Sequence, residues 1–334
     1  MPRPLRHVHG RVPLASAGLA LAMAATGLAG CRGTRSSGPP STPLALPTTT
    51  GAPAPSSSTK TGSAPSSTAT TTAPAKAPPY PVSSTTMAFV DPSRPTVSQG
   101  VQISATMALT TVVWYPAVAG RWPLVMFASG YKVGPSSYST LLQTWAAAGY
   151  VVAAPEFPLE DEAIAGPALD ESDLQNEPAD LEFVKSSMLA RSDPLAPRII
   201  ATEVAVTGHS DGAEAALAVA QEGDPQVVAV IAMSGQPVTP RQDPNPPLLV
   251  IQGDSDTTNP PELGQDVYDQ ADSPKFFLSL IGGGHLPPFQ AGSVWEPLIA
   301  TTTIDFFNHY LSERVTSDGA MLTAGNQPGV ASIS

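Results

Sequence analysis

The sequence contains a single cysteine. Cys31 precedes residues 82–312, the part of the chain that has the composition of a folded domain. A disulfide framework and a thiolate metal site are therefore excluded for that part, and we expect no metal ion there. Its stability must come from a buried core, and about 230 residues are enough to form one.

Acidic residues are missing from the first 90 positions, and basic residues are scarce after them. The first acidic residue is Asp91, and the formal net charge of the whole chain is −12. From Met87 onward lie nine of the 16 Lys and Arg residues but all 28 Asp and Glu residues, a net charge of −19. This charge argues against nucleic acid as a partner and against a polyanionic substrate.

The apolar run near the N-terminus is too short and too interrupted to be a good membrane span. Val12 to Gly30 carries no charge but contains proline and glycine, and it follows arginines at positions 3, 6 and 11. A basic start, a short apolar stretch and small residues at its end are typical of a secretory signal. We predict a signal peptide over residues 1–30.

The predicted signal ends in Leu28-Ala29-Gly30-Cys31. This sequence resembles the lipobox of bacterial lipoproteins, in which the cysteine sulfur accepts a diacylglyceryl group. Cys31 is therefore predicted to carry a lipid anchor that holds the protein in the cell envelope, on the extracytoplasmic face of the membrane. The alternatives are a cleaved signal that leaves a free thiol and an uncleaved transmembrane anchor.

Two segments lack the apolar periodicity that a packed element requires. Residues 31–81 are almost entirely Pro, Ser, Thr, Ala and Gly, and they cannot bury enough apolar surface to offset the entropy of ordering. We predict a disordered linker there, with O-glycosylation as a hypothesis. Residues 313–334 are rich in Gly, Ser and Ala, and we predict a disordered tail.

Within residues 82–312, short apolar runs alternate with helical patterns. The predicted strands are Val101–Ala105, Thr111–Tyr115, Pro123–Ala128, Tyr150–Ala154, Val204–Val206, Val227–Met233, Leu248–Ile251 and Phe276–Ile281; the predicted helices are Ser137–Ala148, Leu174–Ala190, Ala213–Gln221, Pro261–Gln270 and Val294–Leu311. Continuous apolar strands between helices predict an α/β fold, a mostly parallel sheet with helices on both faces. Functional residues should follow the carboxyl ends of its strands.

One such segment has the pattern of a nucleophile elbow. Gly208-His209-Ser210-Asp211-Gly212 follows a predicted strand and precedes an alanine-rich helix. The turn must be so sharp that the serine backbone is strained, and its neighbours two positions away must lack a side chain. Ser210 is predicted to be a nucleophile. Backbone N–H groups of Asp211 and of Tyr131, after the third strand, are predicted to form an oxyanion hole.

A serine nucleophile needs a base, and His285 is the best placed of the five histidines. It follows the predicted strand Phe276–Ile281 directly after three glycines, whereas His309 lies in a predicted helix. Asp254 and Asp256 both follow the preceding strand. Asp256 lies further beyond the strand end and is favoured as the acid that orients the imidazole, whereas Asp254 is expected to stabilise the turn.

These features resemble the dienelactone-hydrolase-like and platelet-activating-factor-acetylhydrolase-like branch of the α/β-hydrolases, near the cutinase-related polyester hydrolases. The resemblance covers residues 123–311 and includes the chain order Ser210, Asp256, His285. It implies cofactor-free hydrolysis of carboxylic esters. Two departures stand out: an acidic residue, Asp211, after the nucleophile, and the absence of an aromatic residue in Met233–Pro237.

The sequence therefore predicts a serine esterase for small neutral esters with short or medium acyl chains. An amidase with the same residues and an inactive, surface-displayed binding module are the rival hypotheses. Seven acidic residues between Ala154 and Leu174 form either a lid that disfavours anionic substrates or a solvated loop. The physiological substrate and the oligomeric state do not follow from the sequence.

Overall fold

A computed structural model describes residues 78–167, 170–190, 192–239, 246–312, 314 and 317–334. The predicted signal peptide, Cys31 and nearly all of the predicted linker lie outside the described residues. Among the helices that the structure describes, none combines the length and the apolarity that a membrane span requires.

The described residues form a nine-stranded sheet, a small two-stranded sheet and seven α-helices. The strands are β1 (Val82–Asp91), β2 (Thr96–Ser98), β3 (Val101–Ser104), β4 (Met107–Pro116), β5 (Trp122–Ala128), β6 (Val151–Pro155), β7 (Ile199–His209), β8 (Val227–Met233), β9 (Leu248–Gly253), β10 (Lys275–Leu280) and β11 (Ala331–Ile333). The helices are α1 (Ser139–Ala148), α2 (Glu162–Ala165), α3 (Glu177–Leu189), α4 (Asp211–Gln221), α5 (Pro261–Gln270), α6 (Glu296–Tyr310) and α7 (Gly319–Gly325).

The large sheet has the strand order β1-β4-β6-β5-β7-β8-β9-β10-β11. The six strands from β6 to β10 in this order are parallel, while β1, β4 and β11 are antiparallel to their neighbours. The predicted α/β architecture with a mostly parallel sheet is confirmed. Since parallel strands all end at one edge, the loops after β7, β9 and β10 emerge on the same side of the sheet.

Each central strand contributes to two cores, one on each face of the sheet. In β5, Leu124 and Met126 pack into one core, and Val125 and Phe127 pack into the other. Because successive side chains point to opposite faces, a strand covered on both sides must be apolar at every position. Helices α3, α4 and α5 contribute to the first core, and α1, α6 and α7 contribute to the second.

Several predicted elements agree with the structure to the residue, and others were missed. The predicted bounds of β8 and α5 are the observed ones. The predicted helix Leu174–Ala190 is divided: a 3₁₀ turn covers Glu171–Asn176, and α3 begins at Glu177. Strand β1 was not predicted, because its Ser83–Thr86 stretch continues the Ser/Thr composition of the preceding linker.

The prediction of a disordered tail is wrong for the part that the structure describes. Helix α7 and strand β11 lie in this tail, and β11 pairs antiparallel with β10. The last strand of the chain is therefore β11 and not the predicted strand Phe276–Ile281. Met321 and Ile333 are buried in the second core. The small residues that suggested disorder permit close packing instead, because a Cβ on Gly325 would lie 2.8 Å from Cγ2 of Ile333.

Candidate active site

The chain bends sharply between β7 and α4. Ser210 lies at this bend with φ 56° and ψ −126°, a backbone conformation that a non-glycine residue rarely adopts. A Cβ on Gly208 would lie 2.0 Å from the carbonyl oxygen of Gly212, and a Cβ on Gly212 would lie 2.3 Å from that of Ala128. Both glycines are therefore required by the close approach of backbone segments.

Ser210, His285 and Asp256 form a continuous chain of hydrogen bonds. The Nε2 atom of His285 lies 2.9 Å from Oγ of Ser210, and its Nδ1 atom lies 2.8 Å from Oδ2 of Asp256. A carboxylate only accepts hydrogen bonds, so Nδ1 carries the proton and Nε2 is left to accept from the serine hydroxyl. Ser210 follows the carboxyl end of β7, Asp256 follows that of β9, and His285 follows that of β10.

The two candidate aspartates have different environments. Asp256 is 3 % exposed, and its Oδ1 atom accepts hydrogen bonds from the backbone N–H groups of Thr258 and Asn259, each at 2.9 Å. Asp254 is exposed, and its Oδ1 atom accepts from the N–H group of Gly282 at 2.7 Å. Asp254 was expected to stabilise its own turn, but its carboxylate also holds the glycine-rich segment that leads to His285.

The segment after β5 packs directly against the bend at Ser210. A Cβ on Gly130 would lie 3.0 Å from Cβ of Ser210 and 2.9 Å from Nδ1 of His209. This approach brings the backbone next to Tyr131 alongside the nucleophile. The N–H group of Asp211 lies in the first turn of α4, where the helix dipole favours negative charge. Both predicted oxyanion donors are thus in segments that border Ser210.

The remaining predicted features also have defined places. His309 lies in α6, with its Nε2 atom 3.5 Å from a carboxylate oxygen of Asp318. Within the described residues, no group of three or more His, Cys, Asp or Glu side chains has the geometry to hold a metal ion. Sequence reasoning missed Gln252, the amide of which donates to Oδ2 of Asp256 at 3.3 Å, and it missed the contacts of His209 described below.

Buried carboxyl groups surround the N-terminal end of α4. Burial raises the pKa of Asp211, and repulsion by Glu171 raises it further, whereas His285 lowers it. Glu160, from the acidic segment after β6, is subject to repulsion from Asp211, and burial raises the pKa of Glu214 to about 7. The acidic segment therefore contributes to the electrostatic environment of the nucleophile.

The sequence profile of the Chlorophyllase family matches residues 85–255, just over half of the 334 residues. The chain belongs to the Chlorophyllase family. This is a family of α/β-hydrolases of the esterase type, so the superfamily prediction is confirmed and the protein is a hydrolase. A search of curated proteins found no match.

The part of the chain that matches the Chlorophyllase family includes some of the candidate site residues and excludes others. It contains Ser210, Asp211 and Tyr131, but it ends one residue before Asp256, and His285 lies 30 residues beyond its last position. The family match therefore supports the fold and the class of enzyme. The pairing of Ser210 with His285 and Asp256 rests on their hydrogen bonds.

The raised pKa of Glu177, which lies near Glu160, makes the stability of the protein depend on pH. Burial raises the pKa of Glu177 above its usual 4.5, and repulsion by Glu160 and Asp211 raises it further. The folded protein then binds more protons than the unfolded chain above pH 4.5, so the free energy of unfolding must fall as the pH rises. Glu177→Gln imitates the protonated carboxyl. We expect it to stabilise the protein at pH 8 and to change little at pH 4.5, as measured by urea denaturation.

The exposed Glu262 in α5 provides the matched control, since Glu262→Gln removes the same charge from the surface. It should leave the difference in stability between the two pH values close to that of the wild type. A Glu177→Gln variant that loses stability equally at both pH values would show that folding does not raise the pKa of Glu177.

Proposed function

We propose that this protein is a serine hydrolase that cleaves carboxylic esters, with Ser210 as nucleophile, His285 as general base and acid, and Asp256 as the residue that orients the imidazole. The unbroken chain of hydrogen bonds from Ser210 through His285 to Asp256, at 2.9 and 2.8 Å, carries this proposal. Membership of the Chlorophyllase family, an esterase-type family, supports it independently.

The reaction proceeds by acyl transfer in two steps. Nε2 of His285 accepts the proton of the Ser210 hydroxyl while Oγ attacks the ester carbonyl carbon. The bond to the alcohol oxygen then breaks, and the alcohol leaves with the proton from His285. A water molecule attacks the resulting acyl-serine, and His285 accepts its proton and returns it to Oγ as the acid is released. Asp256 stabilises the imidazolium in both steps.

Negative charge that develops on the carbonyl oxygen needs donors that are already in place. We propose the backbone N–H groups of Asp211 and Tyr131 for this role. The position of Asp211 in the first turn of α4 and the packing of Gly130 on Ser210 support the assignment. No cofactor takes part in this mechanism.

The carboxyl groups near Ser210 favour a neutral substrate. In their ionised forms, Asp211 and Glu160 would repel an anionic ester, which is a form of selection against the wrong substrate. We propose small neutral esters with short or medium acyl chains as the substrates. The name Chlorophyllase refers to chlorophyll, so a chlorophyll ester is the second candidate substrate.

Reactivity toward a fluorophosphonate tests the function directly. The wild-type protein should become labelled and should hydrolyse p-nitrophenyl esters from acetate to octanoate faster than the matching anilide. Ser210→Ala should abolish labelling and lower kcat by about 10³- to 10⁶-fold, because no other group can form the acyl-enzyme. A folded wild-type protein that is neither labelled nor active would favour a binding module, and faster anilide cleavage would favour an amidase.

A second prediction distinguishes the two aspartates. Asp256→Asn keeps the shape of the side chain but removes the charge that selects the productive imidazole tautomer, so we expect kcat to fall by about 10²- to 10⁴-fold. Asp254→Asn makes the same chemical change two residues away, on a carboxylate that bonds Gly282 rather than the imidazole. Its kcat should stay within about tenfold of the wild type. The reverse ranking would assign the acid to Asp254.

We further propose that the mature protein begins at a lipidated Cys31 and is held on the extracytoplasmic face of the membrane, where it acts on a small-molecule ester. The lipobox-like residues 28–31 and the basic, apolar segment before them support this proposal. Expressed in a bacterium with lipoprotein processing, the full chain should partition into the detergent phase of a detergent–water extraction. Cys31→Ser should move it to the aqueous phase, and a wild-type protein found there would contradict the proposal.

A further inference from the structure

The side chain of His209 lies beneath the proposed active site and takes no part in the mechanism above. It is 1 % exposed, and its ring packs against three others, with centroid distances of 4.7 Å to His285, 5.0 Å to Phe289 and 5.6 Å to Tyr138. A buried imidazole next to a nucleophile must have both of its nitrogen atoms satisfied.

Both nitrogen atoms of His209 have partners in other loops. Its Nδ1 atom lies 2.8 Å from Oη of Tyr138, the residue directly before α1, and its Nε2 atom lies 2.9 Å from the backbone oxygen of His285. The hydroxyl of Tyr138 also accepts from the N–H group of Gly130 at 3.4 Å. A single line of hydrogen bonds therefore joins the segment after β5, the bend at Ser210 and the loop that carries His285.

The partners determine the tautomer of His209. A carbonyl oxygen only accepts, so Nε2 must carry a proton and donate it to His285. Burial lowers the pKa of His209 to about 3, and His285 lowers it as well, so the ring is neutral and Nδ1 is an acceptor. Burial raises the pKa of Tyr138, which therefore stays a phenol and donates to Nδ1. The hydroxyl of Tyr138 thus selects the tautomer that can hold the backbone of His285.

The loop that carries His285 needs such support because its glycines allow many backbone conformations. Three glycines, residues 282–284, precede His285, and Gly282 has φ 73°. Asp254 holds the N–H group of Gly282, the N–H group of Ser255 donates to the carbonyl oxygen of Gly283 at 2.9 Å, and His209 holds the carbonyl of His285. Of these anchors, the one from His209 is at the residue whose imidazole must meet Ser210.

We infer that His209 and Tyr138 are positioning residues for the hydrolytic reaction, which fix the backbone of His285 and the Gly130–Tyr131 segment relative to Ser210. This inference rests on the proposed esterase function. Neither side chain has a role in proton transfer; each acts through the placement of the base and of one oxyanion donor. A displacement of about 1 Å in such groups is enough to slow a reaction strongly.

Two amide substitutions of His209 separate its donor function at Nε2 from its acceptor function at Nδ1. In His209→Gln the amide nitrogen takes the place of Nε2 and can still donate to the carbonyl oxygen of His285. In His209→Asn the shorter side chain places its amide near the position of Nδ1 and leaves that carbonyl oxygen without its donor. Both variants are uncharged, and His209→Gln keeps the contact with His285 whereas His209→Asn keeps the contact with Tyr138, so their comparison ranks the two contacts.

The measurement is kcat per active site, with the number of active sites titrated by a fluorophosphonate. We expect His209→Asn to lower kcat by about 100-fold with KM within about threefold, and His209→Gln to stay within about tenfold of the wild type. A merely structural role would lower the number of titratable sites or the melting temperature and leave kcat per site unchanged. His209 should contribute no titration near neutrality to the pH profile of kcat, because burial keeps its ring neutral.

Tyr138→Phe keeps the ring and removes only the hydroxyl, and it carries the test if His209→Asn does not fold. We expect kcat per site to fall by about tenfold, because Nδ1 of His209 and the N–H group of Gly130 both lose their partner. Wild-type kcat per site in both His209→Asn and Tyr138→Phe would overturn the inference, as would an equal loss in His209→Gln and His209→Asn. These outcomes leave the proposed function intact, because that function is tested by the activity of the wild-type protein on esters and anilides and by Ser210→Ala.

Discussion

The positive φ of Ser210 is the backbone constraint on which the site depends. A residue with a Cβ avoids this conformation, and Ser210 is held in it by the packing of the segments on both sides. Its own N–H group donates to the carbonyl oxygen of Met233 at 2.9 Å, so the bend is tied to the neighbouring strand β8. As a result, the hydroxyl of Ser210 lies beyond the end of the sheet, and α4 begins at the next residue, Asp211.

The parallel sheet brings the other two members of the chain to the same edge. Strands β9 and β10 pair in register at their last residues, Gly253 with Leu280, so the loops that follow them start side by side. A Cβ on Gly253 would lie 2.3 Å from the carbonyl oxygen of Gly283. The absence of a side chain at residue 253 therefore allows the loop of Asp256 and the loop of His285 to pack on each other, which makes their hydrogen bond possible.

Beneath and beside this edge lie polar groups that a purely apolar core would not contain. His209 is neutral and fully engaged, whereas oxygen atoms of Asp211, Glu177 and Glu214 are buried with no hydrogen-bond partner among the described residues. A raised pKa allows Glu177 to keep its proton, which removes most of the cost of burying its carboxyl group. Asp211, the acidic residue that departs from the α/β-hydrolase pattern after the nucleophile, is one of these buried polar groups.

The sequence by itself determined the elements whose signal is local. The apolar runs of β5 and β8 and the Gly-x-Ser-x-Gly pattern around Ser210 are readable because strand periodicity and backbone sterics act over a few residues. Strand β1 and the ordered tail were missed, since their Ser/Thr and Gly/Ala composition favours order only when a neighbouring strand or a core is present.

Tertiary structure decided the relations between distant residues. Sequence position favoured Asp256 over Asp254, but only the approach of the His285 loop gives Asp256 the imidazole and Asp254 the N–H group of Gly282. His209 was an unremarked residue of the nucleophile pattern until Tyr138 and the carbonyl of His285 were brought to its two nitrogen atoms. Sequence separation carries no information on such contacts, because hydrogen bonds depend on distances of a few ångströms that only the folded sheet defines.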